Sequence, residues 1–406
     1  MAGRALVKEQ ALTAGPHARA YAACMCLLPL LAGCHRLRFP QVPVNYREYA
    51  YVANSGGGTV SVLDLVHFRQ DRTLRVGDQP TDLAVNPTRS ELYVVNTAGA
   101  SISVIDATQN SVSATIPVHK TPVSISVDAK GERAYVANKG ANTVSVLDLK
   151  TRREVLNVGT GEEPGQVRIS PDGRSLVVAN QGSGSVSLYE VSGEAKPRLR
   201  AAFAGCPGAA DIAVMQDSSK AFVACPDGGS LLSIGLASAP GSWQATQDPA
   251  SMQDRLLARL RVGKTPAHLA LKPDGGELFV SNAASNSVSE VSTFTNEVGG
   301  TFKIGTGPAQ GLVSTDNGTL WVTNSGAESV SLYSIDEGRM TNSIHTGPQP
   351  GAIAMSPKQP ILLVANAKSG DVAVIRTRDT NGPELLTMLP AGSQPVAIAI
   401  KAFQVP

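Results

Sequence analysis

The sequence has few aromatic residues, few charges and no long apolar stretch in its body. Aromatic side chains make up 4% and charged side chains 17% of the 406 residues, against about 25% charged residues in a typical globular protein. The net charge is +2, so the chain lacks the excess of cations with which nucleic-acid-binding proteins neutralise phosphates. Beyond residue 33 no run approaches the roughly 20 apolar residues of a membrane-spanning helix. We therefore expect a globular body without a nucleic-acid partner.

The first 33 residues differ from the rest of the chain. Three basic residues precede a short apolar run at 20–32, a pattern that is typical of a secretory signal. The tetrad Leu31-Ala32-Gly33-Cys34 resembles the lipobox of bacterial lipoproteins. This resemblance implies cleavage before Cys34, lipidation of Cys34, export to the periplasm or the cell surface, and attachment to a membrane through the lipid. An ordinary signal peptide with a chance cysteine is the alternative.

These features predict three segments: a signal peptide at 1–33, a lipidated tether at 34–48 and a repeat domain at 49–402. Removing the signal takes away three cations and one anion, which leaves 32 residues of each sign. Such a balance gives the mature chain no field that would attract a polyanion.

Residues 49–402 contain a repeat with a period near 42. The string AYVANSGGGTVSVLDL (50–65) returns as AYVANKGANTVSVLDL (134–149), and six weaker copies accompany them. A period of this length with strand-like alternation is typical of β-propellers. The residue that closes the first strand of each string recurs at steps of 42, 42, 42, 45, 57, 42 and 42, namely Asn54, Asn96, Asn138, Asn180, Cys225, Asn282, Asn324 and Asn366.

Each repeat contains four short strand-like segments, with Asp-Gly turns such as SPDGR (170–174) that suit tight hairpins. The first repeat lacks the segment that precedes the YVAN strand, whereas the last such segment, QPVAIAI (394–400), has no YVAN strand after it. Pairing the two ends would complete a blade and remove an open sheet edge. The sequence therefore predicts an all-β propeller of eight four-stranded blades, closed by its first and last strands. A seven-bladed ring with one spare repeat is the alternative.

The repeats resemble the YVTN-type β-propeller repeats of bacterial and archaeal cell-surface proteins, including the YncE-like periplasmic proteins. LWVTNS (320–325) is the segment most similar to the motif that names them. The resemblance covers about residues 49–402 and implies export with a binding or scaffolding role. Seven blades are the commoner number in that family, so eight would be a departure.

A candidate ligand site follows from the start of each innermost strand, beside the central channel. The second residue after the proline that recurs in the repeats is polar in most of them, and Arg168 lies two positions further along its strand. A buried arginine needs an acidic partner, for which Asp82 and Asp211 are candidates. We expect Asp211 to lie in a slightly longer loop. The predicted ligand-binding residues are Asp82, Ser124, Gln166, Arg168, Asp211, His268 and Gln310.

Convergent polar groups in a concavity indicate a small-ligand or metal site; a water-filled channel mouth is the alternative interpretation. His119, His268 and His345 map to this face but belong to different repeats, so separate surface histidines compete with a shared metal site. The repeated Asn residues are interpreted as structural, since Asn at a strand end can bond the backbone of the following turn. No nucleophile–base, HExxH or CxxCH motif is present, and we predict neither a metal nor a cofactor.

Two cysteines remain after the signal and the lipidated residue are set aside. Cys206 lies in the loop before an inner strand, and Cys225 takes the place of the repeated Asn. Both should lie on one face of one blade, which favours a disulfide in an oxidising compartment; a thiol or metal site is the alternative.

The step of 57 indicates an insertion at about 236–256. Within it Asp248-Pro249 could start a helical turn, and Trp243 could contact a partner or fold back on its own blade.

The sequence thus favours a lipid-anchored envelope propeller that binds a small ligand or another envelope protein at one face without catalysis. The alternative is a propeller enzyme or cofactor-binding protein, lactonase-like or haem d1-type, that uses the polar channel mouth.

Overall fold

The chain folds into eight four-stranded antiparallel sheets arranged as the blades of a propeller. The computed structural model describes residues 42–191, 196–242, 246–378 and 382–404. Their regular structure is almost entirely strand, with a few single turns of 3-10 helix and two helical residues at 246–247. The prediction of an eight-bladed, four-stranded, all-β propeller is confirmed, and the seven-bladed alternative is wrong. The signal peptide, Cys34 and Trp243 lie outside the described residues.

We number the blades from the one that contains both ends of the chain and give the strands of each from the channel outwards. Blade 1 contains β32 (Pro395–Gln404), β1 (Tyr46–Asn54), β2 (Thr59–Asp64) and β3 (Arg69–Arg75). Blade 2 contains β4 (Pro80–Val85), β5 (Glu91–Asn96), β6 (Ser101–Asp106) and β7 (Ser111–Pro117). Blade 3 contains β8 (Pro122–Val127), β9 (Arg133–Asn138), β10 (Thr143–Asp148) and β11 (Arg153–Gly159). Blade 4 contains β12 (Pro164–Ile169), β13 (Ser175–Asn180), β14 (Ser185–Glu190) and β15 (Arg198–Ala204).

The other four blades repeat this order. Blade 5 contains β16 (Ile212–Val214), β17 (Lys220–Cys225), β18 (Ser230–Gly235) and β19 (Arg255–Arg261). Blade 6 contains β20 (Pro266–Leu271), β21 (Glu277–Asn282), β22 (Ser287–Ser292) and β23 (Glu297–Lys303). Blade 7 contains β24 (Pro308–Val313), β25 (Thr319–Asn324), β26 (Ser329–Ser334) and β27 (Arg339–His345). Blade 8 contains β28 (Pro350–Met355), β29 (Ile361–Asn366), β30 (Asp371–Arg376) and β31 (Glu384–Pro390).

The two middle strands of each blade are buried on both faces. In β5 every residue after Glu91 is buried, whereas in the outer strand β7 exposed residues alternate with residues that are half-buried or, at Ile116, buried. A middle strand lies between two neighbouring blades, so both of its faces pack against apolar side chains. This explains why the YVAN segments read as continuous apolar runs, while the outer strands keep the alternation of a half-exposed strand.

The hydrophobic core is divided into eight layers, each formed between two adjacent blades. One layer packs Tyr93 and Ile102 of blade 2 against Ile125 and Val136 of blade 3. Because each layer needs both blades, a single repeat cannot bury its apolar faces alone. The ring must therefore close for all blades to be stabilised equally.

The first and last strands close the ring. β1 pairs antiparallel with β32, with Tyr51 opposite Ala399 and Ala53 opposite Ala397. The pairing continues as far as Tyr46 opposite Gln404, so both strands are longer than their counterparts in the other blades. This pairing is the closure that the incomplete first and last repeats predict.

The insertion of blade 5 connects β18 to β19 and contains a 3-10 turn at Pro249–Met252, whose N-cap Asp248 accepts a hydrogen bond from the Ala250 amide. Asp254 follows the turn, and its side chain is 2% exposed. It forms an ion pair with Arg200 of blade 4, with 2.8 Å between Oδ2 and Nε. The insertion is therefore fixed to the neighbouring blade. No helix in the described ranges is long and apolar enough to cross a membrane.

Candidate functional site

The inner strands begin at one rim of the channel, where they surround a concave cavity of about 480 Å³. The pairing register shifts directly after the strand-initiating proline, for example between Pro80 and Asp82, and the second residue after the proline reaches the cavity. Six of the seven predicted residues line it: Asp82, Gln166, Arg168, Asp211, His268 and Gln310. Ser124 is buried (1% exposed) behind this surface. The structure thus brings six predicted residues from five blades together.

Four of these side chains accept a hydrogen bond from the inner strand of the next blade. The Ile125 amide donates to Asp82 (3.0 Å) and the Leu269 amide to Asp211 (2.9 Å). The Gly311 amide donates to His268 (3.2 Å) and the Ile353 amide to Gln310 (3.3 Å). An inner strand is the edge of its sheet, so half of its amides face the channel without a partner in the sheet. Buried amides need acceptors, and the preceding blade supplies them here. Part of the polar ring therefore has a structural role in joining the blades.

Both aspartates use their two oxygens in this way. Asp82 Oδ1 accepts from the amide of Leu83 (2.8 Å), in addition to the bond from the next blade at Oδ2. Burial raises the pKa of Asp82, against the opposing effects of the Arg168 charge and of these amides. The carboxylate is thus directed at the channel wall and is less acidic than an exposed aspartate.

Asp211 links three consecutive blades. Its Oδ1 accepts from its neighbour Ile212 (2.9 Å) and from Gln166 Nε2 of blade 4 (3.2 Å), while Oδ2 accepts from Leu269 of blade 6. His268 Nε2 lies 3.8 Å from the same Oδ2. A displacement of Asp211 would therefore change the positions of groups in all three blades.

His268 has a defined tautomer. The amide of Gly311 donates to Nδ1, so Nδ1 carries no proton and neutral imidazole holds its hydrogen on Nε2. Burial lowers the pKa of His268, although the Asp211 charge opposes this shift, and the Arg168 charge lowers the pKa further. At neutral pH His268 is therefore an uncharged hydrogen-bond donor.

Arg168 lies one level deeper than the other polar residues. It shares that level with small side chains such as Ala84, Ser126 and Ala213, which leave room for its guanidinium in the channel. Its charge acts on both Asp82 and His268, which belong to opposite blades, so we infer that the guanidinium lies near the axis. Its Nη1 donates to the carbonyl of Val167 (3.1 Å). The expected ion pair with Asp82 or Asp211 does not form, and among the described carboxylates Arg168 has no salt-bridge partner.

The sequence analysis missed Gln181, which also lines the cavity. It follows the repeated Asn180, and Lys139 of blade 3 donates to its Oε1 (2.7 Å). The signal was present in the repeat, because the loop after each YVAN strand opens on the same rim as the mouth.

The other histidines and the repeated Asn residues do not form part of the mouth. His119 pairs with Glu154 (Nε2 to Oε1, 3.2 Å) and His345 ends an outer strand, and within residues 42–404 as described no three potential metal ligands cluster. The Asn side chains are buried, and most bond a serine on the neighbouring strand, as Asn96 does with Ser103 (3.0 Å). The expected bond to the backbone of the following turn is thus replaced by a bond between side chains.

Cys206 and Cys225 form a disulfide with a Cα–Cα distance of 4.8 Å. Both cysteines are completely buried. Counting from the end of β15, Ala209 occupies the place of the strand-initiating proline. The loop that carries Asp211 is therefore not longer than the others, contrary to the expectation from the sequence; the proline that marks this position elsewhere is simply missing.

Solved structures with similar folds include functionally different proteins. Dihydro-heme d1 dehydrogenase NirN matches with a TM-score of 0.67 and 14% identity over 90% of this chain and 76% of that chain. A putative 6-phosphogluconolactonase from Bacteroides uniformis ATCC 8492 matches with a TM-score of 0.60 and 15% identity, covering 88% and 100% of the two chains. Kuenenia stuttgartiensis hydrazine synthase matches with a TM-score of 0.56 and 18% identity, covering 73% and 95%. At these identities the likeness shows a common fold alone.

The sequence itself matches one family. No curated protein matches it, but residues 107–204 and 263–399, together more than half of the chain, match the family described as "Lactonase, 7-bladed beta-propeller". These stretches contribute Gln166, Arg168, His268 and Gln310 to the channel mouth. The chain therefore belongs to this lactonase β-propeller family, with a ring of eight blades where the family description has seven.

Proposed function

We propose that the channel mouth binds a small ligand that carries an oxyanion, such as a carboxylate. The observation that supports this proposal is the direction of the polar groups. The acceptor atoms of Asp82, Asp211, His268 and Gln310 are used by amides in the wall. The groups left for a ligand are mainly donors: the guanidinium N–H groups of Arg168, Nε2–H of His268 and the side-chain amide of Gln310.

The dimensions and the charges agree with such a ligand. A volume of about 480 Å³ lies within the range of roughly 300–1,000 Å³ for small-molecule sites. Arg168 is the one cation that lines the cavity among the described residues, and an arginine can bind a carboxylate through two parallel hydrogen bonds. The two aspartates do not cancel this preference, because backbone amides solvate their carboxylates. We expect this binding role to need no cofactor.

The experiment is a calorimetric titration with gluconate, with sorbitol as an uncharged counterpart of similar size. We expect gluconate to bind and sorbitol to bind at least about tenfold more weakly, since a hydrogen bond to a charged group contributes about 1.5–3 kcal/mol. Arg168→Gln should abolish the difference. The matched control is Arg339→Gln, which should bind like the wild type. Arg339 is an exposed residue of the outer strand β27 and pairs with Glu337. Equal affinities for gluconate and sorbitol in the wild type would contradict the proposal.

Lactone hydrolysis is the second candidate, and membership of a family described as lactonase favours it. Water would add to the lactone carbonyl, the ring C–O bond would break, and the released oxygen would take a proton to give a hydroxy acid. Arg168 and Nε2–H of His268 could stabilise the oxyanion that forms on the carbonyl oxygen. Proton release from glucono-lactone above the spontaneous rate, lost in Arg168→Gln and in His268→Gln, would support the enzyme; a rate equal to that of buffer would exclude this substrate.

A haem-type group is tested by the visible spectrum of the purified protein. His268 is the candidate axial ligand in the mouth, but its Nε2 carries the hydrogen in the neutral tautomer and no second histidine lines the cavity among the described residues. These residues fit a pair of axial ligands poorly. We expect a colourless protein, and a Soret band would contradict this expectation.

We also propose that the chain is exported and held at a membrane of the cell envelope by lipid on Cys34. The support is the lipobox-like tetrad at 31–34. Labelled palmitate should enter the wild type and Cys26→Ala, a control within the signal, and should not enter Cys34→Ala. Labelling of Cys34→Ala would show that the lipid, if any, is attached elsewhere.

A further inference from the structure

Blade 5 differs from the other blades at the loop before its inner strand. In six blades a glycine lies directly over the repeated Asn, so closely that a Cβ on Gly77 would lie 2.7 Å from Cγ of Asn96. The same arrangement joins Gly161 to Asn180 and Gly263 to Asn282. In blade 5 the two places are taken by Cys206 and Cys225, which are bonded covalently. The disulfide thus replaces a packing contact that the other blades make without a covalent bond.

The same loop lacks two other restraints. Ala209 stands where seven blades have a proline, and proline restricts the backbone at the start of an inner strand through its fixed φ. The regular part of the blade 5 inner strand has three residues, Ile212–Val214, whereas each of the other inner strands has at least six. Before it, Ala210 and Asp211 still form backbone hydrogen bonds with Ala224 of β17. The backbone that leads into this strand is therefore held less firmly by its own sequence.

This loop carries Asp211, the residue that links blades 4, 5 and 6 at the channel mouth. Cys206 and Ala209 form the ends of a turn, with the Ala209 amide donating to the Cys206 carbonyl (2.9 Å) and Gly208 at φ +71°. Ala209 and Ala210 line the cavity, and Asp211 follows directly. The disulfide is thus connected through one tight turn to the mouth.

We propose that the Cys206–Cys225 disulfide is a positioning element for Asp211, and through it for the ligand-binding mouth. It compensates for the missing proline by fixing the start of the loop. The effect on ligand binding rests on the function proposed above, whereas the effect on Asp211 does not. The two effects can therefore be measured separately.

The test uses the residues that the other blades have at these places. Cys206→Gly/Cys225→Asn introduces the Gly–Asn pair without the covalent bond. Adding Ala209→Pro introduces the proline as well, at the loss of the amide that donates to the carbonyl of residue 206. In the double variant we expect hydrogen exchange at the Leu269 amide, which donates to Asp211, to become about tenfold faster. The triple variant should recover only part of the wild-type protection, because the fixed φ of proline restrains the loop whereas the hydrogen bond of the Ala209 amide is lost.

The internal control is the amide of Ile125, which makes the same kind of bond to Asp82 in another part of the ring. A general loss of stability would accelerate exchange at both amides equally, and that result would refute the proposal, as would unchanged exchange at Leu269. Gluconate affinity should fall in the double variant and recover in part in the triple variant. If the wild type does not bind gluconate, the proposed function fails while the exchange rates still decide the role of the disulfide.

Discussion

The replacement of Glu48 by Gln should destabilise the propeller at the place where the ring closes. Glu48 belongs to β1, is completely buried and accepts three hydrogen bonds. Tyr46 and Gln359 each donate to Oε2 at 2.7 Å, and Ser356 donates to Oε1. Because Ser356 and Gln359 belong to blade 8, this carboxylate joins the first strand to the last complete blade.

The magnitude follows from the acceptors that are lost. Glu48→Gln keeps the shape of the side chain but converts one oxygen into an NH₂ group, which cannot accept. At Oε2 this group would face the Gln359 amide, and at Oε1 it would face the Ser356 hydroxyl, which already accepts from the amides of Lys358 and Gln359. In either orientation about one charge-assisted bond is lost and one buried N–H donor is left without an acceptor. Together these cost about 3 kcal/mol, since a bond to a charged group contributes about 1.5–3 kcal/mol and an unsatisfied buried donor about 1–3 kcal/mol.

The assay is urea unfolding followed by tryptophan fluorescence, with the wild type, Glu48→Gln, Tyr46→Phe and Glu337→Gln compared under one set of conditions. Glu337 is exposed and pairs with Arg339, so its replacement should change the free energy of unfolding by less than about 0.5 kcal/mol. Tyr46→Phe removes one donor and should cost about 1 kcal/mol. If Glu48→Gln were as stable as Glu337→Gln, the reasoning about ring closure would be refuted.

Three further predictions concern other parts of the ring. Burial lowers the pKa of His268 below 6.5 in the folded protein. As the pH falls, the unfolded chain therefore takes up the proton first, and the folded state loses stability relative to it. His268→Gln should flatten the thermal unfolding profile between about pH 5 and 8, and an unchanged profile would contradict the shift. Asp254→Asn leaves the charge of Arg200 buried without its partner and should cost about 3–5 kcal/mol; a loss below about 1 kcal/mol in urea unfolding would show that the insertion is held otherwise. Alkylation of the unfolded, unreduced protein should leave Cys206 and Cys225 unmodified, and mass spectrometry that finds both alkylated would exclude the disulfide.

Much of the architecture could be predicted because short sequence signals mark the start and end of equivalent strands in each repeat. Asn96 and Asn138 are 42 residues apart and end equivalent strands, β5 and β9, in neighbouring blades. The prolines likewise mark where each inner strand begins, which is why Asp82, Gln166 and Gln310 could be assigned to the mouth. Where the marker is missing, at Ala209, the prediction of a longer loop was wrong.

The chemical character of the mouth could not be predicted, because it depends on bonds between blades. Asp82 bonds Ile125, 43 residues later, and Asp211 bonds Leu269, 58 residues later. These bonds determine that the acceptor atoms face the wall and the donors face the cavity. The composition of the ring, with aspartates, an arginine and a histidine, gives no indication of this direction.

The sequence by itself determined the repeat, the number of blades and the rim at which the polar residues gather, since each depends on local strand, turn and spacing signals. Only the tertiary structure decided that Arg168 has no acidic partner among the described residues, that His268 is a neutral donor, and that Glu48 joins the first strand to blade 8. These properties arise from the packing of one blade against another. Hydrogen-bond geometry and desolvation are set by atoms that are distant in sequence and meet only when the ring has closed.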